Sequence, residues 1–489
     1  MQSNKTLADY FSEHASASKH IYELETGKQK SHELVLNNSR QLSANALVNN
    51  GDIVTVILPN SIEYIECFLA AMLGGWVFNP LAYFIQIQEL EKIFKYVEPS
   101  IIITDKKEIF SCFSKRYKIF TLEQILSEDR KFKKKEIDLQ QPVALYYSSG
   151  TTGNPKGILK SHKNMIKSIN SIVRAFKFTN ADRQLAFLPF GHTASIDYNI
   201  LPSLLVGCDL FISKGFEHLR SNFFNILEKY RITYTEIVPT VLFVLNKLKV
   251  DISNIDLSLL KFIGCSSSTL PMSVQKEFVT HYGIGIGNLY GLSETGPTHI
   301  DDPRKKGWKP GSIGIPLDIN ECRISNDGEI LIKGENVFMG YYKNEKLYQE
   351  SIVDGWFHTG DLGKYREGKF YFTDRKKDII IKGAINIVPM EIEEVVHEHP
   401  AVLECVAVGK FDKMHGEEVA IVIVKNGDMD EEKLVREIKN LCRSRLSYYK
   451  VPNHIEFWEA IPKTASKKLL RRKVRELINE KKSINEIGT

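Results

Sequence analysis

The stretch YYSSGTTGNPKG, residues 146 to 157, gathers more chemistry than any other part of the chain. Gly150, Gly153 and Gly157 permit positive φ and a close approach of backbone to ligand. Ser148, Ser149, Thr151 and Thr152 add hydroxyl donors, and Lys156 adds a mobile positive charge. Such a run can form a nest of N–H groups around a polyphosphate. Composition alone leaves that reading level with a Gly-rich hairpin that binds nothing. A P-loop requires G-x-x-x-x-G-K-[ST] opening a helix. Here Lys156 is followed by Gly157, with no Ser or Thr placed to hold Mg²⁺, and Ile158-Leu159-Lys160 reads as extended. The loop is therefore expected to join two strands, which counts against a kinase or GTPase.

The elements that must position this loop read as α/β layers. Ile53 to Leu58 is a strand candidate, with Asn60 as a cap and a helical pattern through Ala71. Ile101 to Thr104 and Tyr234 to Val238 are further strands beside helix-like segments, which argues for largely parallel sheets. The basic run Arg130 to Lys135 reads as a solvated connector. From about Gly311 the texture changes to short strands and tight turns, with Asn326-Asp327-Gly328 as a hairpin signal before the strand Glu329 to Lys333. After the charged run Asp374 to Asp378, a helix over Glu391 to His397 and strands at Val406 to Val408 and Ala420 to Val424 are expected. The fold class expected is α/β. A large N-terminal domain, 1–376, contains α/β-layered lobes and a small β-rich subdomain, and a small mobile α+β domain, 377–489, follows.

The 489 residues suffice for two to four lobes, and 43% hydrophobic with 26% charged residues is ordinary for a globular protein. A net charge of +5 is too small to argue for a nucleic-acid partner. No run of 18 apolar residues suggests a transmembrane segment, and Met1 to Tyr10 lacks a signal-peptide pattern. Seven widely spaced cysteines, with no C-x-x-C pair, read as thiols in a reducing compartment. A cytoplasmic location follows as the expectation.

The loop resembles the Ser/Thr/Gly-rich signature of the adenylate-forming superfamily of acyl- and aryl-CoA synthetases, luciferases and peptide-synthetase adenylation domains. Seven further segments stand in the order of that family and carry the resemblance from about residue 45 to 472. NLYGLSETGP, 288 to 297, resembles its aromatic-Gly-x-[Ser/Thr]-Glu motif. The resemblance implies that Glu294 holds Mg²⁺, a role suited to a hard carboxylate oxygen. It also implies that Ser293 contacts the α-phosphate and that Tyr290 and Gly291 lie beside the adenine. GWFHTGDLG, 355 to 363, implies that Asp361 accepts hydrogen bonds from the ribose hydroxyls, with Arg375 adding a cationic contact. Lys377 occupies the family's hinge position. PKTASKKLLRR, 462 to 472, resembles P-x-T-x-x-G-K and makes Lys468 the catalytic lysine, with Lys467 standing where the family usually has Gly.

LPFGHT, 188 to 193, resembles the segment that gates carboxylate entry, with His192 as the candidate. Amino-acid-activating relatives usually carry an aspartate near there. None lies between Leu188 and Ile196, and Asp197 falls too late in the spacing, which disfavours an α-amino acid. Gly264, Cys265 and Ser266 stand in a wall segment of the acyl pocket, and Leu289 is expected to narrow it toward a modest-sized acyl or aryl acid. Lys382-Gly383-Ala384-Ile385-Asn386 resembles the loop lining the pantetheine tunnel, which belongs equally to CoA and to a carrier protein.

The activity implied uses ATP and Mg²⁺ to turn a small carboxylic acid into an acyl-adenylate, then passes the acyl group to CoA. A ligase loading a phosphopantetheine acyl carrier protein is the alternative. A non-catalytic descendant would be expected to have lost Glu294, Asp361 or Lys468, and all three are present. Nothing in the sequence speaks for luciferase chemistry.

Overall fold

The computed structural model describes residues 5–46, 48–148, 155–383, 385–463 and 469–485. Among these, the strands form one nine-stranded sheet, one seven-stranded sheet and two five-stranded sheets. In the seven-stranded sheet, Ile53–Ile57 runs parallel between Val77–Pro80 and Ile101–Thr104. Pro142–Ser148 continues the parallel order beyond Val77–Pro80. In the nine-stranded sheet Asp209–Ile212, Arg183–Ala186, Tyr234–Ile237, Phe262–Cys265 and Ile286–Leu292 lie parallel. Strands of this kind are covered on both faces, which is why they read as continuous β-branched runs and not as alternating ones.

One core joins the two sheets. Val54, Phe78 and Ala144 from the first and Ile21, Ala186 and Leu210 from the second pack with the helices Ile62–Gly74 and His162–Phe176. The helix Ile62–Gly74 is buried on nearly every side, and Gly75 ends it at φ +72°. Its cap is Ser61, whose hydroxyl accepts from the Tyr64 N–H at 3.2 Å, and not the expected Asn60. Asn60 is a clamp instead. Its Nδ2 donates to the carbonyls of Leu188 and Ser213, each at 3.0 Å, and its Oδ1 accepts from Phe190 N–H at 2.9 Å. That clamp fixes the start of the 188–193 segment.

A third sheet, all antiparallel, contains Asn320–Ile324, Glu329–Gly334, Ile352–Val353, Trp356–Arg366 and Lys369–Arg375. Gly328 turns its first hairpin at φ +86°, a conformation that favours glycine. The fourth sheet pairs Ile380–Lys382, Ile385–Ile387, Val402–Asp412, Gly416–Lys425 and His454–Phe457 only among themselves. Alternation along Val402–Asp412 gives it two faces. Cys405 and Ala407 pack on the helices Pro389–His397 and Glu431–Arg445, while Val406 and Val408 pack on Val474 and Ile478 of Arg471–Asn485. The whole is a large α/β part with a β-rich annex and a small α+β part. The run Arg130 to Lys135 has no helix or strand. No described helix is long and apolar enough to cross a membrane.

Candidate active site

The strands Pro142–Ser148 and Lys156–Ser161 pair antiparallel, with Ser148 opposite Lys156, so the Gly-rich loop joins two strands as its sequence leads one to expect. Ser149, Gly150, Thr151, Thr152 and Gly153 lie outside the described residues. Asn154 lies outside them too, and Lys156, which follows Pro155, lines a cavity of about 1660 Å³. Its Nζ lies 3.7 Å from Glu294 Oε1 and 3.9 Å from the centre of the Tyr341 ring. Burial lowers its pKa, and the Glu294 carboxylate works against that shift.

Glu294 sits in the turn between Ile286–Leu292 and Gly296–Asp301, buried, with its Oε1 accepting from Tyr341 O–H at 3.1 Å. Ser293 and Gly291 line the same wall. A Cβ on Gly291 would fall 2.2 Å from the Gly296 carbonyl, so the bulge there admits only glycine. Asp361 and Arg375 are register partners on adjacent strands, with Arg375 Nε 3.5 Å from Asp361 Oδ1. Tyr290 O–H donates to Asp361 Oδ2 at 2.8 Å. Burial raises the Asp361 pKa against the opposing charge of Arg375. Lys377, in the single turn Lys376–Asp378, faces the same cavity.

The other end of the cavity is the wall that the 188–193 segment begins. His192 lines it, and its Nδ1 accepts from Ala194 N–H at 3.4 Å. Ser266 and Leu289 line it too, whereas Gly264 and Cys265 lie one layer behind, within the strand Phe262–Cys265. Lys468 lies outside the described residues. Lys463 and Leu469, which flank its segment, form an antiparallel bridge and both line the cavity, followed by Leu470 and Arg471. Lys382 and Gly383 do not reach it. Lys382 pairs with Glu418 at 2.6 Å, and Gly383 turns at φ +62° with its N–H on the His415 carbonyl.

Three groups at this site are missed by sequence reasoning. Asp197 is not too late: it lines the cavity. It is the second residue of the π-helical turn Ile196–Ile200, whose Leu201 N–H donates to Ile196 O. Its counter-charge is Lys160: a Cβ on Gly296 would lie 3.6 Å from Asp197 Oδ2 and 3.9 Å from Lys160 Nζ. Burial pushes the Asp197 pKa up and the Lys160 pKa down, each held back by the other's charge. Lys160 also donates to the carbonyls of Glu294 at 2.8 Å and Asn336 at 3.0 Å, so it fixes the turn that carries Glu294. Lys160→Met is expected to cost about 2 kcal/mol of stability by removing its two hydrogen bonds to buried carbonyls and the charge that opposes the burial of Asp197. Thermal melting checks this, and adding Asp197→Asn should recover part of the loss.

Glu236, inside the strand Tyr234–Ile237, is the third. It faces the phenols of Tyr234 and Tyr198, the Cys265 thiol and the Ser266 hydroxyl, and burial pushes its pKa from 4.5 up to about 8. The folded protein therefore keeps a proton that the unfolded chain releases, so this group's contribution to stability falls as pH rises from 4.5 to about 8. In Glu236→Gln that slope is absent. The melting temperature of the variant, relative to wild type, is expected to rise steadily between about pH 5 and 8.

With this geometry in place, relatives can be compared. The family model described as AMP-binding enzyme matches residues 17–342, and that of its C-terminal domain matches 391–468. A 2-succinylbenzoate–CoA ligase of Bacillus cytotoxicus is 31% identical over 451 residues, covering 89% of this chain and 90% of its own. A long-chain-fatty-acid–CoA ligase of Bacillus subtilis is 33% identical over 394 residues, covering 76% and 69% respectively. The solved structure of o-succinylbenzoate CoA synthetase from Bacillus subtilis, in complex with its acyl-adenylate intermediate, superposes with a TM-score of 0.85 at 25% identity. It covers 95% of this chain and 97% of that one.

Proposed function

The chain belongs to the AMP-binding enzyme family, and from that premise we propose that it is an ATP- and Mg²⁺-dependent acid–CoA ligase. It forms an acyl-adenylate from a small carboxylic acid and then an acyl-CoA thioester. The observation that carries this reading is the meeting of Lys156, Glu294, Asp361, Arg375 and Lys377 at one cavity, with both described flanks of the Lys468 segment on its rim.

In this reading the phosphates of ATP lie along the loop that ends at Lys156, with Ser148, Ser149, Thr151 and Thr152 as donors. Asp361 accepts from the ribose hydroxyls, a place its buried carboxylate now shares with Tyr290 O–H. Ser293 donates to the α-phosphate, and Tyr290 flanks the adenine. The donor set fits Mg²⁺: one buried carboxylate, Glu294, suits an ion that takes most of its ligands from phosphate and water. When bound, the ion neutralises charge on the phosphate oxygens. Lys156 stands beside Glu294 to neutralise departing pyrophosphate, and Lys468 holds the carboxylate and α-phosphate oxygens. His192 closes the entry of the acid.

The domain boundary is placed at Lys376/Lys377, with Lys377 as hinge. Supporting it, the strands from Ile380 onward pair only with one another. The flanks of Lys468 at the cavity, and Lys382-Gly383 away from it, fit the adenylating arrangement. Rotation about Lys377 would then exchange one for the other. A cytoplasmic location accords with substrates such as ATP and CoA and with seven free cysteines.

The test is a product assay with ATP, CoA and a panel of carboxylic acids. AMP, pyrophosphate and acyl-CoA in equal amounts are expected. Release of ADP, or transfer only to a phosphopantetheinylated carrier protein, would overturn the assignment of the acceptor or of the reaction.

A further inference from the structure

Two helices that begin where the large and small parts meet have no caps of their own. Pro389–His397 starts after Val388 and Met272–Tyr282 after Pro271, and neither capping residue makes a side-chain hydrogen bond. The first N–H groups of a helix have no partner within it. Here each start is met by a carboxyl from the other side of Lys377. Asp374, buried on the last strand before Lys377, accepts from Met390 N–H at 3.0 Å. Glu394, one turn along the helix that Met390 opens, faces Met272 N–H and the charge of Lys276. Each carboxyl thus lies at the positive end of a helix dipole. The rings of Phe243 and His397, from the same two sides, stand 5.1 Å apart.

Asp374 also acts on the Lys468 segment. Its charge faces Arg471, which lies three residues beyond Lys468. The Arg471 guanidinium donates to both Glu393 carboxylate oxygens and to the Ala407 carbonyl, so it is fixed to the same helix that Asp374 caps. One carboxyl of the large part therefore ties down the helix start and, through Arg471, the residues that follow Lys468.

Asp374 precedes Lys377 in the chain, whereas Met390 and Glu394 follow it. Rotation about Lys377 breaks both caps in one motion. Contacts made in one arrangement and absent from the other bias the equilibrium by their differential strength. Carboxylates on backbone N–H groups are among the stronger hydrogen bonds.

We propose that Asp374 and Glu394 are positioning residues, reciprocal caps across the hinge that hold the Lys468 segment at the cavity for adenylation and release together for thioester formation. This rests on the ligase reading of the cavity and on Lys377 as hinge.

The experiment uses the full chain with Asp374→Ala, Glu394→Ala and the conservative Asp374→Asn. Hydrogen exchange without substrates is followed by mass spectrometry on peptides that contain Met272 and Met390. Each Ala variant is expected to speed exchange about tenfold at the helix start that it uncaps, and also at the other start, which keeps its own carboxyl. The second readout is the rate of thioester formation from supplied acyl-adenylate divided by the rate of adenylate formation. That ratio follows the populations of the two arrangements and should rise about tenfold in each Ala variant. Asp374→Asn, which keeps an acceptor, should lie between Asp374→Ala and wild type in both readouts. Faster exchange confined to the uncapped helix, unchanged exchange at both starts, or equal loss in both half-reactions would overturn the inference. Coupled exchange in a chain that adenylates no carboxylic acid would uphold the reciprocal caps and refute the ligase reading instead.

Discussion

Lys468→Ala is expected to slow acyl-adenylate formation about a thousandfold, about 4 kcal/mol of transition-state stabilisation. Thioester formation from supplied acyl-adenylate should change less than about threefold. The asymmetry follows from the chemistry of the first step. In the in-line displacement, negative charge gathers on the carboxylate and the α-phosphate oxygens, and a single ammonium can hold both. The second step begins from an adenylate already made, in an arrangement where Lys382-Gly383 and not the Lys468 segment would line the cavity. The described flanks of Lys468, Lys463 and Leu469, are both at the cavity rim. The neighbouring Lys467→Gly variant, which restores the family's usual residue, is the control and should stay near wild type. Equal loss in both half-reactions, or a larger loss for Lys467→Gly, would move the catalytic role off Lys468.

Glu294→Gln is expected to lower carboxylate-dependent exchange about a hundredfold and to move the Mg²⁺ requirement to higher concentration. The substitution keeps the shape and leaves an oxygen to accept from Tyr341 O–H, so the turn between its strands should hold. Lys160 binds the Glu294 carbonyl and not its side chain, which also survives the change. What is removed is the carboxylate charge that stands beside Lys156 among the described residues. A variant with unchanged Mg²⁺ dependence would mean that Glu294 serves only as the partner of Lys156 and Tyr341. Measurement of exchange rate against free Mg²⁺ at saturating ATP separates the two.

Much of this was legible in the chain because its parallel strands are covered on both faces. Ile101–Thr104 was readable to the residue, since four consecutive β-branched residues leave little else possible. The hairpin beside the Gly-rich loop was readable because Lys156-Gly157 cannot open a P-loop helix. Local chemistry misled where two residues compete for one role: Asn60 and Ser61 are both good caps, and only the tertiary partners of Asn60 at Leu188, Phe190 and Ser213 decide between them. Asp197, set aside as too late in the segment, lines the cavity from a π-helical turn, a backbone form that the spacing of residues does not announce. Glu236 was in plain view, a carboxylate in the middle of a strand of a sheet buried on both faces. Its meaning depends on Gly264 and Ser266, which lie near it only once the strands are paired. Lys160 shows the same limit: its two carbonyl partners come from residues 294 and 336, far along the chain.

The central claim is that this cavity activates a carboxylate by adenylation, and ATP–pyrophosphate exchange tests it most directly. With purified protein, Mg²⁺, ATP and labelled pyrophosphate, label should enter ATP only when a suitable carboxylic acid is present, and Lys468→Ala should abolish it. Folded protein that binds ATP yet shows no acid-dependent exchange with aliphatic, aromatic or amino-bearing acids would contradict the account.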